Sequence, residues 1–89
     1  MITSIQNETI KKIMKLKQKK YRDEYDLFLV EGFHLVEEAR KAGCIQTLIT
    51  TLDETFPEDT LYVHSKVMEK IAFTKTPQPV MAVCKKQHQ

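Results

Sequence analysis

Residues 27–30 form an unbroken apolar run, Leu-Phe-Leu-Val, which strongly limits how the chain can fold. A strand with one face in water alternates apolar and polar side chains, so an unbroken run is typical of a strand covered on both faces. Glu31 and Gly32 end the run. An amphipathic helical pattern follows and is closed by Gly43, with apolar positions at Leu35, Val36, Ala39 and Ala42. A covered strand beside an amphipathic helix predicts a layered α/β fold.

The other segments continue this alternation of helices and strands. Asn7 is a suitable N-cap for a helix over residues 8–17, and Ser65 is predicted to cap a short helix before a loop over residues 73–79. Residues 18–26 are polar and charged, which indicates an exposed loop or a fraying helix end. Further strands are predicted over residues 45–50, 61–63 and 80–84. The order α-β-α-β-β-α-β predicts a three-layer α/β/α sandwich with a mixed, largely parallel four-stranded sheet.

Length and composition indicate a single domain, residues 1–89, with a modest apolar core. No apolar run approaches the roughly 20 residues that span a bilayer, and the first residues lack the basic and apolar regions of a secretion signal. We therefore expect Cys44 and Cys84 to be reduced thiols in a cytoplasmic protein with no membrane partner. The histidines and cysteines have no metal-ligand spacing, and the two glycines are too few for a glycine-rich phosphate loop.

Positive charge is concentrated at the amino-terminal end of the chain. Residues 1–22 contain seven basic side chains and one acidic side chain, a net charge of +6, whereas residues 23–89 carry a net charge of −4. Such a segment attracts polyanions, because lysine and arginine neutralise phosphates and release their counterions. Tyr21 and Tyr25 lie within or beside it and can stack on unpaired bases. The same pattern also fits a helix face that is simply solvated.

Several short motifs resemble those of a known family. They are Ile2-Thr3-Ser4-Ile5-Gln6-Asn7, Ile10-Lys11, Leu16, Lys20-Tyr21-Arg22, Phe28-Leu29-Val30-Glu31-Gly32 and Leu35-Val36-Glu37-Glu38-Ala39. In these residues and their spacing the chain resembles the N-terminal substrate-binding domain of the SpoU (TrmH) family of RNA 2′-O-ribose methyltransferases, part of the SPOUT superfamily. It departs from the family pattern at Glu8, where proline is common, and at Pro79, where the loop Pro77-Gln78-Pro79 commonly has glycine. Because proline excludes the positive φ that glycine allows, the conformation of this loop is left open.

The resemblance implies a fold similar to that of ribosomal proteins that bind kink-turn RNA. It also implies that this chain recognises structured RNA, ribosomal RNA more than transfer RNA, for an RNA 2′-O-methyltransferase. S-adenosylmethionine would be held by the family's catalytic domain, which we expect to be absent from this chain and to carry the homodimer contacts of the parent enzyme. The chain itself would have no catalytic, cofactor-binding or metal-binding residues. Two alternatives stay open: a stand-alone module of the kink-turn-binding type, and a dimerisation domain that uses the strand over residues 80–84 or Phe73.

The residues predicted to contact RNA combine charge, amides and one glycine. The guanidinium fork of Arg22 suits a phosphate, side-chain amides can read base edges or a 2′-hydroxyl, and Gly32 allows close approach of an RNA backbone. Asn7 can equally serve only as a helix cap, His34 can be an ordinary surface histidine, and Glu31 is expected to bond neighbouring backbone N–H groups. The predicted contacts are Gln6, Asn7, Lys11, Lys12, Lys15, Lys19, Lys20, Tyr21, Arg22, Gly32, His34 and Lys75.

Overall fold

The structure, a computed structural model, describes residues 1–88. Four helices and four strands follow one another along the described chain. They are α1 (Glu8–Lys15), α2 (Lys19–Tyr25), β1 (Leu27–Glu31), α3 (Phe33–Ala42), β2 (Ile45–Thr50), β3 (Thr60–Tyr62), α4 (Ser65–Ile71) and β4 (Val80–Lys85). The strands form one sheet in the order β1-β4-β2-β3. The predicted mixed, four-stranded sheet is confirmed, as are the positions of its strands to within a residue or two.

The last strand, β4, lies inside the sheet and runs against both of its neighbours. It pairs antiparallel with β1, where Leu29 faces Val83, and antiparallel with β2, where Ile49 faces Met81. Only β2 and β3 pair in parallel. The prediction of a largely parallel sheet is therefore wrong, because β4 separates β1 from β2 although those two strands point the same way. Since β4 is paired on both sides, it cannot extend the sheet into a second copy. Dimerisation through Phe73, the other form of that alternative, stays a prediction.

Helices cover both faces of the sheet, as a three-layer sandwich requires. The side chains of β4 alternate between the faces. Met81 and Val83 join a core with α1 and α4, whereas Val80, Ala82 and Cys84 join a second core with α3. All five of these residues are buried. The predicted three layers are confirmed.

Residues 80–84 of β4 are buried on both faces, whereas β1 is covered on both faces but less deeply. Leu29 alone is buried in β1, which lies at the edge of the sheet, and its other residues are half-buried. The apolar stripe of α3 is also narrower than its sequence pattern indicated. Val36 and Ala39 are buried, but Leu35 is 49% exposed. Hydrophobic sequence runs therefore located these elements correctly but overstated how deeply they are buried.

The first helix begins as predicted and is followed by a second helix that was not predicted. The side-chain oxygen of Asn7 accepts hydrogen bonds from the backbone N–H groups of Thr9 and Ile10, which confirms the N-cap. Within residues 18–26, expected to be a loop or a fraying end, Lys19–Tyr25 form α2. It is supported by an ion pair between Lys19 and Asp23, one turn apart, and it ends where Asp26 adopts a left-handed conformation with φ of 60°.

The cap of α4 is His64, not the predicted Ser65. The His64 Nδ1 atom accepts a hydrogen bond from the backbone N–H of Lys66 at 3.1 Å. An imidazole nitrogen can therefore perform the role that we assigned to a hydroxyl.

Both cysteines are buried free thiols, and burial together with the adjacent Cys44 raises the pKa of Cys84 to about 12. None of the helices described in residues 1–88 combines the length and apolarity needed to cross a membrane.

Candidate nucleic-acid interface

The lysines of α1 and α2 form a basic surface, and three of them have no acidic partner. Within residues 1–88, Lys12, Lys15 and Lys20 lack an ion pair, whereas the Lys11 ammonium lies 3.7 Å from Glu8. Lys19 lies 2.6 Å from Asp23, and hydrogen bonds from Lys19 and then Lys86 lower the pKa of Asp23 to about 2. The charge available to an external anion is therefore centred on the three lysines without partners, which we call the free lysines.

Two of the free lysines lie over an aromatic ring. The ammonium groups of Lys15 and Lys20 are 5.4 Å and 5.2 Å from the centre of the Tyr21 ring, within the range of a cation–π interaction. Tyr21 in turn stacks on Tyr25, with ring centres 6.0 Å apart and an interplanar angle of 17°. The structure thus brings side chains from two helices into one cluster of positive and aromatic groups. We call it the Tyr21 cluster; its members are Lys15, Lys20, Tyr21 and Tyr25.

Arg22 and Lys17 bind helix ends inside the protein. One guanidinium nitrogen of Arg22 donates to the carbonyl of Leu16 at 3.0 Å, and the residue is half-buried. The ammonium of Lys17 donates to the carbonyls of Lys70 and Ala72 and lies 5.6 Å from the Phe73 ring. Both cations therefore stabilise carbonyl groups left free at the ends of α1 and α4. The other N–H donors of the Arg22 guanidinium are not used in the hydrogen bond to Leu16. The contact of Arg22 with RNA therefore stays a prediction.

Gln6 and Asn7 lie at the opposite end of α1 from the Tyr21 cluster. Eight residues separate Asn7 from Lys15, which corresponds to about 12 Å along a helix. Both are exposed, and the Asn7 oxygen is already occupied by its N-cap hydrogen bonds. The cap role of Asn7 is confirmed, while its amide nitrogen and the Gln6 side chain stay predicted RNA contacts.

Gly32 directly follows the carboxyl end of β1. We call the side of the sheet where β1 ends the carboxyl edge. The φ of 97° at Gly32 is one that glycine adopts readily, and a β-carbon there would meet the Gln78 Oε1 atom at 2.9 Å. That Gln78 oxygen accepts a hydrogen bond from the backbone N–H of Phe33 at 2.8 Å and so caps α3. The Gln78 side chain thus occupies the side of Gly32 where a β-carbon would lie, and the RNA contact at Gly32 stays a prediction.

Glu31 ties the loop before β4 to the same edge. Its carboxylate accepts hydrogen bonds from the backbone N–H of Phe73 at 2.6 Å and from the hydroxyl of Thr74. Glu31 therefore bonds a backbone N–H as expected, but that group lies 42 residues away along the chain and the second partner is a side chain. The roles of Gln78 and of the loop arise from contacts over more than 40 residues, and the only sequence signal was the departure of the Pro77-Gln78-Pro79 loop from the family pattern.

Lys75 and His34 are both exposed, and Lys75 lies in the loop that Glu31 holds. Lys75 lines an open groove of about 460 Å³ together with Phe73 and Leu35, which are about half exposed. The predicted contacts therefore fall into three groups: the Tyr21 cluster, the amino end of α1, and the carboxyl edge. Lys17, which follows α1, contacts Phe73 in the loop at the carboxyl edge.

An α/β/α sandwich with a basic, aromatic surface on its first two helices is a combination typical of nucleic-acid-binding domains. Comparison with known proteins agrees. Residues 7–82 match the MRM3-like substrate binding domain, and the chain belongs to that family.

The relatives are RNA methyltransferases of greater length. The chain is 40% identical over 90 residues to the 23S rRNA (guanosine(2553)-2′-O)-methyltransferase RlmP of Bacillus subtilis (strain 168), covering 93% of this chain and 36% of that protein. It is 32% identical to an rRNA methyltransferase from Sinorhizobium meliloti, with a TM-score of 0.84 over 99% of this chain and 37% of that one; a further structure of the Sinorhizobium enzyme has AdoMet bound. An RNA 2′-O ribose methyltransferase is 26% identical, with a TM-score of 0.87 over 99% of this chain and 38% of its own.

Proposed function

We propose that this chain is the RNA-binding, substrate-recognition domain of an rRNA 2′-O-ribose methyltransferase and that it is not catalytic by itself. The observation that carries the proposal is the cluster in which Lys15 and Lys20 flank Tyr21, with Lys12 on the preceding helix. Ammonium groups without acidic partners attract phosphates, and tyrosines next to them give bases a surface for stacking. Family membership and the activities of the relatives support ribosomal RNA as the substrate.

The chemistry belongs, in this proposal, to the remainder of the parent enzyme. The chain spans a little over a third of the relatives' length, which leaves room for a catalytic domain. S-adenosylmethionine would supply the methyl group there. It does not fit this chain's basic surface, because its sulfonium is a cation and the free lysines would repel it. Dimerisation through the catalytic domain and a cytoplasmic location are further parts of the proposal.

The test compares two variants that lose the same amount of charge. In the first, Lys12, Lys15 and Lys20 are changed to alanine; in the control, Lys41, Lys66 and Lys70, which are exposed on α3 and α4, are changed instead. Binding to a labelled, structured fragment of ribosomal RNA is followed by fluorescence anisotropy. We expect the first variant to lose at least about tenfold in affinity and the control to lose less than about threefold.

Equal losses in the two variants would mean that overall charge, and not this surface, determines binding. A wild-type chain with no measurable affinity for ribosomal RNA in dilute buffer would refute the proposed function altogether.

A further inference from the structure

A groove of about 370 Å³ opens at the amino ends of β1 and β2, the edge of the sheet opposite Gly32. Apolar side chains from three elements form its floor: Ile13 of α1, Leu27 of β1 and Val83 of β4. Tyr25, the last residue of α2, forms one wall, and Lys12 and Gln46 lie at the rim. The size and the combination of an apolar floor with a few polar groups are typical of sites for small ligands.

The position of Tyr25 is fixed both at its ring and at the backbone that follows it. Its ring stacks on Tyr21, and the next residue, Asp26, ends α2 in a left-handed conformation. The Asp26 carbonyl accepts a hydrogen bond from the backbone N–H of Lys86, and its carboxylate is bonded by His88. The ring is nevertheless 39% exposed. A rigid, accessible aromatic face at the side of a groove is ready to stack on a flat ligand without a large loss of conformational entropy.

The charges around the groove favour an anionic ligand. Lys12 lies at the rim, and Lys85 follows Val83 by two residues in β4, so it projects on the same face of the sheet as the floor. Of the acidic residues beside Tyr25, Asp23 is paired with Lys19 and Lys86 and Asp26 with His88, whereas Glu24 is exposed on α2. The Tyr21 cluster, with Lys15 and Lys20, continues the positive surface away from the groove.

We infer that this groove binds one unpaired nucleotide of the RNA, with its base stacked on Tyr25 over the apolar floor. Its phosphates extend toward Lys12 and the Tyr21 cluster, and the side-chain amide of Gln46 faces the edge of the base. The inference rests on the proposed function and makes it more specific, because the free lysines supply contacts that any RNA satisfies whereas the groove requires a base that is free of pairing.

The experiment uses two single-stranded RNA hexamers of equal charge, one of adenylates and one in which every base is missing. We expect the wild-type chain to prefer the adenylate hexamer by about tenfold, the value of one good stacking contact. Tyr25→Leu should abolish this preference, and Tyr25→Phe should retain it. Tyr62→Leu is the matched control, since Tyr62 is 37% exposed, comparable to Tyr25, but lies on β3, away from the groove.

A second variant guards against a loss of folding in Tyr25→Leu. Gln46→Glu changes an exposed residue of β2 and places a negative charge at the rim, so it should weaken binding of the adenylate hexamer about fivefold. In nitrogen–proton correlation spectra, adenosine 5′-monophosphate should shift the backbone amides of Thr9, Gln46 and Thr47 more than those of Gly32 and Phe33.

The inference fails if the wild-type chain binds the two hexamers equally, or if Tyr25→Leu keeps the preference. If the chain still binds ribosomal RNA through the free lysines in that case, the proposed function survives and only the groove assignment is wrong. A groove that binds the hexamer in this chain but not in the complete enzyme is covered by another part of that enzyme, and this result also overturns the inference. A chain that forms a tight dimer through the groove, as light scattering would detect, overturns it too.

Discussion

At the level of single residues, Gly32 and Gln78 form an interdependent pair at the carboxyl edge. Gly32 has φ of 97° and ψ of 158°, a backbone conformation that is essentially restricted to glycine. The absence of a β-carbon leaves room for the Gln78 side chain, which reaches the first N–H of α3. The glycine therefore matters for two separate reasons, one in its own backbone and one in a side chain that is distant along the chain.

Changing Gly32 to alanine should lower the free energy of unfolding by at least about 2 kcal/mol, through backbone strain and displacement of the Gln78 cap. Gly43→Ala is the comparison. Gly43 also has positive φ, 69°, but no atom lies within 4 Å of the position of an added β-carbon, so that change should cost only about 1 kcal/mol. Urea unfolding followed by circular dichroism measures both values. Equal costs would mean that the contact with Gln78 contributes nothing to stability.

Some residue roles could be read from the sequence because they depend on near neighbours. The N-cap of Asn7 acts on backbone groups two and three residues away, so local pattern was sufficient to predict it. Gln78 acts on Phe33, and Lys17 acts on Ala72, across distances in sequence that no local pattern covers. The same limitation explains why the sequence indicated a positive segment but could not distinguish Lys19, which pairs with Asp23, from Lys20, which has no acidic partner among residues 1–88.

Among the secondary-structure elements, α3 is tied to the loop between β2 and β3 by one ion pair. Arg40 donates from Nε and Nη2 to both carboxylate oxygens of Glu58, at 2.6 Å and 3.0 Å. The Glu58 side chain is only 13% exposed, and the guanidinium lowers the pKa of its carboxyl from the ordinary value of 4.5. This bidentate contact holds a long loop that has no helix or strand of its own.

Glu58→Gln should reduce the free energy of unfolding at pH 7 by about 1–2 kcal/mol, as for a hydrogen-bonded, charged group that is partly shielded from water. Because folding lowers the pKa of Glu58, its contribution is complete above about pH 4.5 and is lost as the pH falls through the lower value of the folded state. Unfolding curves at several pH values should therefore converge for wild type and variant in acid. Glu37→Gln, which removes an exposed partner of the same arginine, should cost less than about 0.5 kcal/mol.

Element types were easier to predict than their arrangement. Each strand was predicted from a local run of apolar or β-branched residues. The position of β4 between β1 and β2 instead depends on pairing between residues that are 30 or more positions apart in the sequence. The helix α2 was missed for a different reason. It buries no residue and has no apolar stripe that a sequence pattern could reveal. The helix is stabilised instead by the Lys19–Asp23 ion pair and by the hydrogen bond from Arg22 to the carbonyl of Leu16.

At the scale of the whole molecule, folding concentrates the positive charge of the chain on one part of its surface. The net charge of the chain is only +2, yet the first 22 residues carry +6. The fold gathers this charge on α1 and α2 beside one face of the sheet, while Asp23 of α2 and Asp26, which follows α2, pair with Lys86 and His88 near the other end of the chain. The molecule therefore presents a more localised positive field than its average charge indicates.

This separation predicts how RNA affinity depends on salt. Each phosphate contact that a lysine makes releases condensed counterions, so the logarithm of the binding constant falls with the logarithm of salt concentration in proportion to the number of contacts. If Lys12, Lys15 and Lys20 each contact a phosphate, changing all three to alanine should make the slope less steep by about 2 to 3. Tyr25→Leu should weaken binding without altering the slope, because stacking releases no counterions. Anisotropy titrations between about 50 and 300 mM salt measure both effects. A slope that stays the same without the three lysines would mean that phosphates are held elsewhere, and the carboxyl edge with Lys75 would then be the surface to examine.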